Sequence, residues 1–434
     1  MTSYLSKLDY NYDNKYYASG SFRRDGSSKL SADSRWGNFY SASLGWVLSK
    51  EDFMDSADWL NFAKLRASYG TSGNLPIDAY GTLGLFSVSG TYNDTPVLAL
   101  NQLENSNLEW EKSYTLDFGL DYRIFDKVSG SIDFFHKHTK GLINGTPLLH
   151  ATGRSSVTEN KGALINKGLE FEISSENIKT KNFSWSTDFN ITYLVSKVDK
   201  LSEPELDRPY MTEEGKDVNS FYMREWAGVD SETGRPSWYL NTLKEDGTRD
   251  RTIVYDPTDV EMVFLGKKGY PDFRGGFTNR FTYKGFDLSF LCTYSLGATL
   301  IDYEGHSYSD GNNIGKINLR KNVLGKHWQK PGDNAEYSRL IFNAVEKGNY
   351  GSSRLLINGD YLKIKNVSMG YNLPKSWISK MNLEKVRLYF NASDLYTFFK
   401  HDHIDPEVGQ DGYAAQGYDL PTLKTYRFGI NVNF

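Results

Sequence analysis

Near the carboxyl end, His401-Asp402-His403-Ile404-Asp405-Pro406-Glu407 brings imidazole and carboxylate groups together at a spacing that suits a divalent metal. A metal site also needs a third and fourth ligand fixed in space. None is identifiable, so no metal site is expected here. His136 and His138 share one strand face and meet the same objection. Asp230-Ser231-Glu232-Thr233-Gly234-Arg235-Pro236 has part of the composition of a calcium loop without its spacing, and reads as a turn. Cys292 is the single cysteine, which excludes an internal disulfide framework and any multi-thiolate site; it reads as one inert residue of an apolar face. No G-x-S-x-G, H-E-x-x-H or G-x-x-x-x-G-K-[ST] pattern occurs, and nothing places two acidic groups across a cleft. The sequence therefore predicts neither an enzyme nor a bound cofactor or metal.

What remains is binding chemistry. Trp226, Trp238, Tyr239, Tyr303, Tyr308 and Trp328 lie in long polar segments, where their flat rings suit apolar sugar faces or peptide side chains. Packing within the loops is the competing reading for each. Arg123, Asp188 and Arg280 fall on polar strand faces, where they serve equally to solvate a wide interior.

The elements that carry these residues follow from a period of two. Tyr426, Phe428, Ile430, Val432 and Phe434 share one face of the last strand, and Arg427, Gly429, Asn431 and Asn433 the other. The division recurs in Tyr114, Leu116, Phe118, Leu120 and Tyr122 against Thr115, Asp117, Gly119, Asp121 and Arg123. About 13 such strands can be counted, each long enough at about 9–11 residues to cross a bilayer at a tilt. Their connections alternate in length. Short turns fall at Asp13-Asn14-Lys15, Phe125-Asp126-Lys127, Lys179-Thr180-Lys181 and Tyr283-Lys284-Gly285. Long segments run from Gly26 to Asn38, Gly73 to Leu108, Leu201 to Asp272, Asp302 to Gly359 and Lys400 to Thr422. The link from Ser49 to Asn61 is expected to form a short helix on the short-turn side.

This pattern predicts an all-β, antiparallel up-and-down transmembrane barrel with no separate domain. The 15% aromatic content and 39 glycines suit twisted sheets and tight turns, and no apolar run is long enough for a transmembrane helix. A formal net charge of −4 gives no field that would gather nucleic acid. Closed single-chain bacterial barrels have an even strand number, and an open wall leaves unpaired edges in lipid. The chain is therefore expected to be the C-terminal part, 1–434, of a larger barrel whose signal peptide and first strands lie upstream.

Several stretches make the chain similar to the C-terminal half of SusC/RagA-type TonB-dependent outer-membrane proteins. They include Phe22-Arg23-Arg24-Asp25-Gly26, Lys64-Leu65-Arg66-Ala67-Ser68-Tyr69-Gly70, Asn107-Leu108-Glu109-Trp110-Glu111-Lys112 and Asn166-Lys167-Gly168-Leu169-Glu170. The end matches most specifically, in Gly359-Asp360-Tyr361-Leu362-Lys363-Ile364-Lys365-Asn366, Asp405-Pro406-Glu407 and Phe428-Gly429-Ile430-Asn431-Val432-Asn433-Phe434. The resemblance implies a plugged barrel of about 22 strands, of which roughly nine strands and the plug lie upstream. It also implies energised import of glycans or peptides through a Gram-negative outer membrane of Bacteroidetes-like type, with TonB acting on the upstream region and a SusD-like lipoprotein as the lid. The terminal aromatic strand resembles the sorting signal of outer-membrane assembly. A surface glycan-binding β protein and a passive porin are the alternatives.

Overall fold

The computed structural model describes residues 1–434 except 150, 152, 304–316, 343–345, 349, 380–382, 402–403 and 408–421. Thirteen strands form one meandering sheet in chain order: β1 Thr2–Tyr12, β2 Tyr16–Gly26, β3 Trp36–Val47, β4 Leu60–Asn74, β5 Glu111–Ile124, β6 Val128–Lys140, β7 Ala163–Lys179, β8 Phe183–Lys200, β9 Phe273–Tyr283, β10 Phe286–Leu296, β11 Tyr361–Asn372, β12 Lys385–Phe398 and β13 Thr425–Asn433. The alternation read from the sequence is thus translated into strands at the expected number. Shorter and longer connections broadly alternate, although the links 48–59 and 373–384 on the short side exceed 27–35 on the other, and 141–162 joins the long set.

The tight turns work because their residues tolerate left-handed backbone. Asp13 and Asn14 both have φ near 50° (52° and 51°), and Phe125 and Asp126 sit at 52°. Positive φ at both central residues is what a two-residue hairpin needs to match strand twist. The expected helix between Ser49 and Asn61 is instead two 3-10 turns, Leu48–Lys50 and Asp52–Met54. Neither turn has a side-chain cap, and Glu51 between them is committed to the sheet, accepting from the Tyr16 hydroxyl at 2.6 Å and Trp46 Nε1 at 2.9 Å. A regular helix would have to give up those bonds.

The chain divides into two compact units. The first comprises Met1–Pro204, Glu213–Lys216 and Phe277–Lys284. Within it the register lines apolar residues up across eight strands: Tyr10, Ala18, Leu44, Ala67, Phe118, Phe134, Leu169 and Tyr193 stand opposite one another in turn. A second row, Tyr12, Tyr16, Trp46, Leu65, Leu120, Ile132, Phe171 and Ile191, runs beside it. These side chains are not a buried core; Leu44 is 67% and Phe118 50% exposed. A contiguous exposed apolar surface of this extent marks a membrane or partner face.

The opposite face of the same strands is polar and cross-linked. Ser19 and Ser43 hydroxyls meet at 2.8 Å, and Ser21 and Ser41 at 2.7 Å. Arg66 donates to both oxygens of Asp121 at 2.8 and 2.9 Å and to Asp133 at 2.7 Å. To reach Asp133 its guanidinium crosses Gly119, where a Cβ would lie 2.3 Å from Asp133 Oδ1 and 2.7 Å from Arg66 Cζ. Only glycine leaves room for the bridge. Gly119→Ala in the full-length protein is expected to cost about 1–3 kcal/mol, read as a lower apparent Tm in detergent; an unchanged Tm would show that the pair relocates freely.

The second unit comprises Glu205–Thr212, Asp217–Gly276 and Gly285–Phe434. It repeats the scheme. Leu288, Met369, Phe390 and Phe428 form one apolar row and Phe286, Tyr371, Leu388 and Ile430 the next, with Phe428 80% exposed. On the other face Arg387 pairs with Asp287 at 2.6 and 2.7 Å across Gly370, where a Cβ would stand 2.3 Å from Arg387 Nη2. Cys292 is buried, unlike the exposed apolar rows, and it stands at a register shift between Leu291 and Cys292.

Candidate functional site in the long connections

The long connections are not bare loops. In the first unit, 27–35, 75–110 and 141–162 close over a core of Leu30, Phe39, Ile77, Leu108 and Trp110. The Asn107–Lys112 stretch is its clasp. Leu108 is fully buried, Trp110 packs edge-on to Phe39 at 5.8 Å, and its Nε1 donates to the Arg35 carbonyl at 3.1 Å. The Glu111 carboxylate accepts from Asn74 Nδ2 and from the Ile143 amide, both at 2.8 Å. A motif that sequence reading used only as a resemblance thus has a structural task.

The parts of the connection 201–272 that lie in the second unit carry two small sheets, Glu205–Asp207, Tyr210–Thr212, Ser220–Met223 and Val263–Lys268 in one, and Trp226–Val229, Pro236–Tyr239 and Ile253–Val254 in the other. Three of the six aromatic candidates meet in the latter. Trp226 and Trp238 are opposite partners whose rings meet edge-on at 5.3 Å, and Arg354 lies 5.4 Å over Trp226. Trp238 is wholly buried. Tyr239 lies 3.6 Å beneath the Arg251 guanidinium, which is held by Glu225 at 2.6 and 3.0 Å. Trp328 stands apart: its Nε1 donates to the Ser231 carbonyl at 2.7 Å and its ring covers Gly234. Tyr303 is 40% exposed on the wall of a separate cavity. Tyr308 lies outside the described residues.

The Asp230–Pro236 turn has its oxygens occupied by protein. Asp230 Oδ1 accepts from the amides of Glu232 and Thr233 at 3.0 and 2.8 Å and from the Thr233 hydroxyl at 2.8 Å, while Oδ2 accepts from Tyr255 at 2.6 Å. The Tyr255 bond is foremost in pulling this carboxyl down to about 2. A carboxylate so supplied with donors is a turn-former.

Around the Asp405-Pro406-Glu407 motif the structure assembles a charge network that the sequence reading did not foresee. Lys363 is almost fully buried, with its ammonium 2.5 Å from Glu407 and 3.3 Å from Asp394; Lys365 bridges the same two at 2.9 and 2.8 Å. Asp394 adopts φ of 55°, next to a register shift at Ile364/Asn366 that turns it toward both lysines. Burial pushes the Asp405 carboxyl up, but bonds from Thr422 and Glu407 outweigh it and hold it below its usual value. The available signal was Lys-Ile-Lys, two cations on the polar face of a strand with no carboxylate opposite. Of the histidine pair in this region, His401 packs edge-on to Phe399 at 5.5 Å. Asp402 and His403 lie outside the described residues. His138 Nε2 is 2.9 Å from Asp199.

Residues 2–395 match the family model described as TonB dependent receptor-like, beta-barrel. The chain belongs to this family. It is 32% identical over its whole length to TonB-dependent receptor P3 of Formosa agariphila, covering 45% of that protein. It is 29% identical to TonB-dependent receptor SusC of Bacteroides thetaiotaomicron, again over its whole length and 44% of the relative. Among solved structures it superposes on a chain of the RagAB peptide transporter with a TM-score of 0.87 at 26% identity, covering all of this chain and 47% of that one. The chain thus spans about half the length of the curated relatives it matches, and it is a SusC/RagA-type outer-membrane β-barrel segment.

Proposed function

We propose that this chain is the C-terminal part of the wall of an energised outer-membrane importer, which takes up glycans or peptides with a SusD-like lipoprotein as its lid and TonB acting on the region upstream. The observation that carries the proposal is the registered separation of faces: exposed apolar rows on one side of β1–β8 and β10–β13, and hydroxyl pairs and ion pairs on the other. Lipid on the first side and an aqueous passage on the second account for both. Among the described residues β1 and β13 are each paired on one side only, and unpaired strand edges within hydrocarbon cost several kcal/mol per unsatisfied group. Further strands of the longer protein meet those edges. The names of the relatives, receptors and transporters, support the reading.

The test is uptake of fluorescent oligosaccharides and oligopeptides by cells carrying the intact gene. Loss of uptake on deleting either the protein or TonB is expected. Uptake that needs the protein but persists without TonB would make it a passive porin.

The exposed series Tyr426, Phe428, Ile430, Val432 and Phe434 is proposed as the assembly signal. Deleting Phe434, 86% exposed at the chain end, is expected to reduce the outer-membrane level several-fold, as measured by immunoblot of membrane fractions. Normal insertion would remove that role.

A further inference from the structure

We propose that a cavity in the second unit binds an acidic sugar residue, its carboxylate or sulfate held by Arg208 and Arg224 and its ring set among Tyr222, Tyr303 and Tyr350. The inference rests on the import reading above and names a substrate class for it. The cavity has a volume of about 390 Å³ and is walled by those five side chains together with Met223 and other apolar groups. That is within the range of small-ligand sites and suits one residue of a polymer better than a run of several.

Two guanidinium groups on one small cavity are electrostatically unfavourable unless something negative joins them. Arg224 is fixed: its Nε donates to the Pro257 carbonyl at 2.6 Å and its guanidinium lies 5.1 Å over the Tyr350 ring. Its remaining N–H groups, and those of Arg208, have no carboxylate partner among the described residues, although ion pairs satisfy most other arginines of these connections, such as Arg251, Arg320 and Arg339. Burial, with the neighbouring Arg208 charge, holds Arg224 below the usual guanidinium range. The nearby carboxylate, Asp207, acts on the Tyr303 hydroxyl, which burial and that charge both push up. The negative group of a ligand is therefore directed to the arginine side.

Ligand chemistry follows from the wall. A planar guanidinium fork presents paired donors that match the oxygens of a carboxylate or sulfate. Tyrosine rings complement the apolar face of a pyranose, and the thioether of Met223 fills space between them without demanding a hydrogen bond. A ring bearing one acid group meets all three requirements at once. Arg208, Arg224, Tyr222, Tyr303 and Tyr350 all lie in the second unit.

The experiment is titration calorimetry on the full-length receptor in detergent, with trigalacturonate and its uncharged methyl ester as probes. The acid is expected to bind at least tenfold more tightly than the ester. Arg224→Gln and Arg208→Gln should each weaken the acid tenfold or more and leave the ester unchanged. Arg208 is exposed, so its variant reports binding even if Arg224→Gln disturbs the loops. Equal binding of acid and ester, no binding of the acid, or acid binding indifferent to both substitutions would overturn the assignment. So would an acidic tripeptide that binds more tightly with the same arginine dependence. The titrations need no TonB, so a failure of energised uptake and a failure of this site are separately visible.

Discussion

Arginine in place of Phe118 is expected to lower the folded, membrane-inserted yield of the full-length protein sharply, at a cost of about 2–4 kcal/mol. Phe118 is the middle of five outward residues on β5, half exposed, with Ala67 and Phe134 directly beside it and no carboxylate in the row. A guanidinium there has only hydrocarbon to meet, and its length is too small to reach either interface from the centre of the band. The control is Thr192→Arg on β8, which places the same group on the other face opposite Glu170. There a new ion pair offsets the change, and insertion should stay near normal. Heat-modifiable gel mobility of outer-membrane fractions reads both variants. A loss for Thr192→Arg alone would mean that the faces have been assigned the wrong way round, and equal losses would mean that neither face is the lipid face.

Trp238→Ala is expected to have the other large effect, about 3–5 kcal/mol, because a fully buried indole leaves a cavity that its neighbours cannot fill. The loss should be local. Trp238 packs on Trp226 and stands opposite Val254, so the small sheet loosens while the thirteen-stranded wall persists. Limited proteolysis should cut the region 226–254 at least tenfold faster without changing the heat-modifiability of the barrel. Unaltered cleavage combined with weakened substrate binding would instead mark Trp238 as a contact residue that packing does not require.

The wall was legible in the sequence because its physics is repetitive. One period, one polarity rule and a broad exchange of shorter and longer connections recur along the chain, and a miscounted residue in one strand is corrected by the next. The aromatic edge of β13 illustrates this: Tyr426 to Phe434 could be assigned to one face by inspection. The connections were not legible in the same way. Their strands are two to eight residues long, as in Ile253–Val254, too short for alternation to rise above chance. Trp238 and Tyr303 look alike as loop aromatics, but their burial depends on partners such as Trp226 that long-range folding supplies. The Lys363–Glu407 network was missed for a related reason: its members lie on two strands and a distant connection, and only the bulge at Asp394 brings them together.

The arginines that lie across Gly119 and Gly370 have a bearing on traffic. An ion pair folded flat over a glycine occupies little height; at Gly370 the two charges cancel beyond a few ångströms, whereas at Gly119 one arginine meets two carboxylates and a net negative charge is left. On the import reading proposed above, the wall is therefore shallow at both glycines, neutral at Gly370 and mildly repellent to anions at Gly119. Under that reading the discrimination between solutes falls to the outer connections rather than to the strands at these two glycines.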